Sequence, residues 1–111
     1  MKEFRIHRRS LQPSAIDVVL RRARRAANGK MCRHARENAY KRNVNAEDIR
    51  RAVLKGDLIE YHVIEDRERA LIRDEFGVSV VVDLNNSAII TAWRNNPTDN
   101  HATLGTEYLF Q

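Results

Sequence analysis

The sequence predicts an α+β fold, with about three N-terminal helices packed on a twisted antiparallel sheet of about four strands. Apolar residues recur at helical spacing through the first half of the chain. After Gly56 the period shortens to two, and strand-like runs follow one another across short, polar turns. Helices followed by a block of strands make the α+β order. The 111 residues fit one domain with one modest core. Within it, residues 1–30 are a basic segment carrying the first helix, 31–95 the core, and 96–111 a polar tail.

The first helix is read from LQPSAIDVVLRRARRAANGK. Pro13 and Ser14 stand at its start, and Ser14 with Asp17 is expected to form a capping box. Gly29, after Asn28, is the stop signal. Ile16, Val19, Leu20, Ala23 and Ala27 form an apolar stripe. Arg21, Arg22, Arg24 and Arg25 cover much of the remaining surface. A second helix is expected over 32–42, closed by Asn43, which tolerates the left-handed conformation. Asn45 then caps a third helix, with Asp48 completing a capping box. Ile49, Ala52 and Val53 face inward, and Gly56 ends it. Glu47 and Asp48 sit at its N-terminus, where the helix dipole favours acids.

DLIEYHVIE and RALIRDEFG read as the first two strands, with charges crowding the turn between them. VSVVVDL is β-branched and expected to be buried on at least one face. Asn85, Asn86 and Ser87 make a tight turn into the last strand, AIITAWR. Alternation places Ser87, Ile89, Thr91 and Trp93 on one side of that strand and Ala88, Ile90, Ala92 and Arg94 on the other. The tail beyond Asn95 is polar, with a short edge strand expected at its end.

The chain carries a net charge of +5 and a pI near 9.9, which suits an anionic partner, nucleic acid foremost. At 42% apolar and 32% charged residues it is globular in composition, not disordered. Cys32 is the only cysteine, so neither an intrachain disulfide nor a cysteine-based metal cluster can form. A fold without such staples suits a reducing compartment. No apolar run approaches membrane-spanning length, and the basic opening MKEFRIHRRSLQPS lacks the apolar stretch of a signal peptide.

The sequence has no glycine-rich phosphate loop and no nucleophile elbow. His7, His34, His62 and His101 are scattered, without metal-ligand spacing, so neither metal nor cofactor is expected. His34 stands apart because His34, Asn38 and Arg42 lie one above another on a helix at i, i+4 and i+8. Ala35 and Ala39, with Cys32, take the neighbouring apolar side. A histidine in such a polar row can reach a cleft; equally, a boundary histidine serves packing alone. On the last strand, Thr91 and Trp93 share a face that could line a site, and Arg94 can reach round the sheet edge.

The helix opening with His-Ala, the KRNV hinge, the AEDI…AVLKG helix and strands ending VVVD and IITAW together resemble a widespread bacterial domain family of originally unknown function. That family is placed in the superfold of barnase, EndoU, the tRNase colicins and RelE. Its members are toxin modules at the C-termini of contact-dependent inhibition and other polymorphic secreted proteins. The resemblance covers about residues 31–95. It implies a ribonuclease, with the family's histidine falling on His34, its hinge arginine on Arg42 and its strand-end threonine on Thr91. Asn38 stands where the family often has arginine, and Asn43 where glycine is expected after the hinge.

The resemblance thus implies a metal-independent endoribonuclease that cleaves tRNA by attack of the RNA's own 2′-hydroxyl, leaving a 2′,3′-cyclic phosphate. Such a reaction needs a proton acceptor, a proton donor and cationic or hydrogen-bonding groups on the phosphoryl oxygens. Histidine suits the first task and arginine the last. His34 and Thr91 are the expected catalytic residues, and Arg33, Asn38, Arg42, Trp93 and Arg94 the expected substrate contacts. A second well-placed histidine is missing, so the other proton role falls to water or a weaker group. The implied setting is the bacterial cytoplasm, after delivery as the C-terminal part of a secreted effector. A cognate, acidic immunity or antitoxin protein would protect the producer. Two other readings remain open: a non-catalytic RNA-binding module docking its arginine-rich first helix on phosphates, and a structural or partner-binding domain.

Overall fold

The computed structural model describes residues 3–95. Five strands form one sheet in the order β1-β2-β3-β4-β5, every neighbouring pair antiparallel. They are β1 (Glu3–His7), β2 (Asp57–Ile64), β3 (Arg67–Arg73), β4 (Val78–Asp83) and β5 (Ala88–Arg94). Three helices lie between β1 and β2 in the chain: α1 (Pro13–Arg24), α2 (Arg33–Lys41) and α3 (Ala46–Lys55). The α+β class therefore holds, with a sheet one strand wider than expected. Among the described residues no helix is long and apolar enough to cross a membrane. The edge strand expected in the tail lies outside the described residues.

The additional strand is β1, within the segment assigned to a basic lead-in to the first helix. Phe4 and Ile6 alternate with Glu3, Arg5 and His7, and the segment pairs with β2 in the register Glu3↔Ile64 to His7↔Glu60. Three polar residues in five masked that short period-2 signal.

α1 starts differently from expectation. Pro13 occupies its first position, so Gln12 is the cap, and it makes no side-chain capping bond. Ser14 is thereby already inside the helix, and the Ser14–Asp17 capping box does not form. After Arg24 the chain tightens into a 3-10 turn, Arg25–Asn28. That changes the angular step, so Ala26 is buried beside Ala23, while Ala27 is only partly buried. The hinge behaves as read. Asn43 is left-handed at φ 61°, and Asn45 and Asp48 close a complete capping box on α3. Cys32 serves as the α2 cap, its sulfur accepting from the Ala35 N–H at 3.4 Å, and it stays exposed.

One face of the sheet carries the main core. Leu58, Ala70, Ile72, Val80, Val82 and Ala92 pack there against α1, α3 and the turn between α1 and α2. β3 ends at Arg73, short of the expected boundary, because Asp74 folds the next residues into a turn. Its Oδ1 accepts from the N–H of Phe76 (2.9 Å) and of Val78 (3.0 Å). Gly77 in that turn is at φ 84°, and a Cβ there would lie 1.9 Å from the Asn95 carbonyl. Only glycine permits this approach, which fixes where β5 ends.

Two bulges break strict alternation. One lies in β2 between Leu58 and Glu60, the other in β5 opposite the Val81–Val82 step. They put Ile59 and Ile90 with Leu71, Val81 and Trp93 in a second, smaller apolar cluster. Ile89 stays in the main core. The expected split of β5 is corrected accordingly: Ile90 packs with Trp93, not with Ala92, because the extra residue shifts the phase of the strand.

Candidate functional site

α2 is short and amphipathic, burying only Ala35 and Ala39. Its polar row runs beside β5, an edge strand at the end of the sheet. The first half of that edge is occupied by Lys30 and Met31: the Ile89 N–H donates to the Lys30 carbonyl at 3.0 Å, and Met31 bridges Ile89. The second half is met by Arg42 at the end of α2. One guanidinium nitrogen donates to Thr91 Oγ1 and to the Ala92 carbonyl, each at 3.2 Å.

Higher on the same row, the side-chain nitrogen of Asn38 lies 3.1 Å from His34 Nε2. With the ring neutral and the amide donating, the ring proton sits on Nδ1. His34 is exposed and Asn38 half-buried. Eight residues of helix separate His34 from Arg42, about 12 Å along the axis. The structure thus brings His34 to Asn38, and Arg42 to Thr91, on one side of the molecule.

The other expected contacts stand apart. Arg33 pairs with Glu37 one turn on (2.9 Å), with its side chain 91% exposed. Arg94 donates to the Asn43 carbonyl and to Asp48 Oδ2, each at 3.2 Å, so its charge already has a carboxylate. Asp48 is held below the ordinary carboxylate range, first by the Asn45 backbone N–H and then by Arg51 and Arg94. Trp93 packs in the smaller apolar cluster and donates its indole N–H to Asn95 Oδ1. The same oxygen accepts from Arg73 (3.2 Å) and Ser79 (3.1 Å).

A polar group on the face away from the main core escaped sequence reasoning. His62 is 5% exposed and Glu60 2% exposed. His62 Nε2 meets Glu3 Oε1 at 2.8 Å, and Arg5 approaches Glu60 Oε1 at 3.6 Å. Among the described residues neither Glu60 oxygen has a hydrogen-bond partner, nor does His62 Nδ1. Burial pushes the Glu60 carboxyl up and the His62 imidazole down, the latter opposed by Glu3. Glu60 and His62 are two residues apart on a strand, so alternation in DLIEYHVIE was the signal that joins them. Their burial was not readable.

On the opposite side Arg22 grips Glu68 with two nitrogens, each at 2.8 Å, and the Tyr61 hydroxyl donates to the same carboxylate. Arg22 and Tyr61 drive Glu68 down to about 2, while burial and Glu68 push Tyr61 up to about 12. This group ties α1 to β2 and β3. Among the described residues no cluster of three or more His, Cys, Asp or Glu is arranged to hold a metal ion. Comparison with protein-family models, with curated proteins and with solved structures finds no match to this chain.

Proposed function

We propose that the chain is a metal-independent endoribonuclease toxin acting on RNA, tRNA foremost, with its site along α2 and the β5 edge. The observation that carries this reading is the Arg42–Thr91 contact on the same polar row as a histidine held by an amide. Thr91 accepts from Arg42, so its own proton is free for a phosphoryl oxygen, and the guanidinium supplies charge beside it. His34 takes the proton of the 2′-hydroxyl on Nε2, as the substrate hydroxyl displaces the Asn38 amide there and its oxygen attacks the adjacent phosphorus. The bond to the 5′-oxygen breaks, the leaving oxygen takes a proton from water, protonated His34 gives its proton to the hydroxide so formed, and a 2′,3′-cyclic phosphate remains. An acidic immunity protein covering the same row would match the +5 charge of the chain.

The purified protein, incubated with total RNA with and without EDTA, is expected to give discrete tRNA fragments ending in cyclic phosphate in both cases. His34→Ala should abolish cleavage and leave the fold unchanged. Thr91→Val, which keeps the shape and loses the hydroxyl, should slow single-turnover cleavage about tenfold or more. Full activity in His34→Ala would return that residue to a boundary role. A second reading, RNA binding without cleavage, is favoured by the exposed Arg21 and Arg24 on α1 and Arg25 just after it. It predicts steeply salt-dependent binding and intact RNA.

A further inference from the structure

Beside α3 a cavity of about 620 Å³ opens between the helix C-terminus and the β3–β4 turn, with Arg51, Lys55, Glu75 and Phe76 among its lining. That volume suits a small-molecule or nucleotide ligand. Phe76 is 55% exposed and belongs to neither apolar cluster, so packing does not account for it. The Arg51 guanidinium lies 4.7 Å from its ring centroid. Arg51 is fixed from behind by Asp74 (3.2 Å) and Asp48 (3.1 Å), and Asp74 also holds the Phe76 N–H. Ring and guanidinium are thus pre-positioned as a stacking platform. Lys55 and Glu75 form no ion pair among the described residues, which leaves one cation and one acceptor at the rim.

One carboxylate links the cavity lining to the strand that carries Thr91. Asp48 joins Arg51 on the cavity side to Arg94 at the end of β5 (3.2 Å), three residues beyond Thr91. We propose that this cavity is a nucleobase subsite for single-stranded RNA, holding a nucleotide that flanks the cleaved bond. This deepens the ribonuclease reading and rests on it for the substrate class. The unstacked base lies against the Phe76–Arg51 platform, as single-stranded nucleic acids use aromatic side chains. Glu75 accepts from an exocyclic amino group, and Lys55 meets the phosphate of that nucleotide.

The test is a titration of the full chain with AMP, CMP, GMP and UMP, and with ribose 5-phosphate as the control without a base. Backbone amide shifts of residues 74–77 are followed by NMR. The expected result is saturable binding of the nucleotides, at least about tenfold tighter than ribose 5-phosphate, in line with the strength of base stacking. UMP, which lacks an exocyclic amino group, should bind more weakly than CMP, and Glu75→Ala should remove that difference. Phe76→Leu should weaken nucleotide binding about tenfold, whereas Phe76→Trp should retain it. Equal binding of ribose 5-phosphate, or no effect of Phe76→Leu, overturns the subsite. The two readings fail separately. Nucleotide binding with no RNA cleavage leaves the subsite and removes the catalytic assignment. Cleavage with an unchanged KM in Phe76→Leu and no nucleotide-induced shifts does the reverse.

Discussion

On the face of the sheet that α1 and α3 cover, Leu58, Ile72, Val80 and Val82 belong to one large apolar cluster, and at its rim Arg22, Glu68 and Tyr61 satisfy one another. The opposite face is organised differently. A small apolar cluster of Ile59, Leu71, Val81, Ile90 and Trp93 sits beside buried Glu60, His62 and Arg73. Burial disfavours the charged form of Glu60, whose carboxylate has no hydrogen bond among the described residues. The first face concentrates the stability of the fold. The second buries ionisable groups, and burial disfavours the charged forms of Glu60 and His62, at a cost to stability.

The contrast can be broken most strongly at β3, where adjacent residues face opposite ways. Ile72→Ala should destabilise by about 3–4 kcal/mol, and Leu71→Ala in the smaller cluster by about 2 kcal/mol. Urea unfolding of both variants at one pH measures the difference. Equal losses would mean that the two faces are equally core-like.

Next in size is the buried carboxylate. Glu60→Leu should gain about 1 kcal/mol at pH 7, because a buried carboxylate is replaced by an apolar side chain beside Ile59 and Leu71 while Arg5 keeps Glu3 as a partner. The folded-state value of Glu60 is raised, so the wild-type deficit is present where the group is ionised. It should shrink as pH falls through that raised value and vanish below the unfolded one. A Glu60→Leu variant less stable than wild type at pH 7 would show a carboxylate that is well paired after all.

The smallest effect belongs to the rim. Glu68 is lowered in the folded state, so its stabilisation is complete above the ordinary value of 4.5 and is lost as pH falls toward about 2. Both side chains of the Arg22–Glu68 pair remain partly in water, which limits the contribution to about 1 kcal/mol or less. Glu68→Gln should flatten the pH dependence of stability between those two values. An unchanged acid limb in that variant would assign the acid sensitivity to other carboxylates.

Local physics was legible in the sequence wherever one segment decides its own shape. The hinge is an example, since Asn43 and the Asn45–Asp48 capping box act within a few residues. So are the strands after Gly56 and the polar row of His34, Asn38 and Arg42, which follow from period alone. Thr91 was singled out separately, on the face of the last strand and by the resemblance, with nothing in the sequence to join it to the row. That Arg42 reaches it, across 49 residues of sequence, required the packing of α2 on β5. Tertiary structure alone decided the rest. β1 is a strand because β2 offers it an edge, and its five residues would not hold that shape by themselves. The bulges at Ile59 and Ile90 re-aim side chains that strict alternation sends elsewhere. The burial of Glu60 and His62, and the stacking of Arg51 on Phe76, depend on which surfaces meet when strands and helices pack, and no local period encodes that.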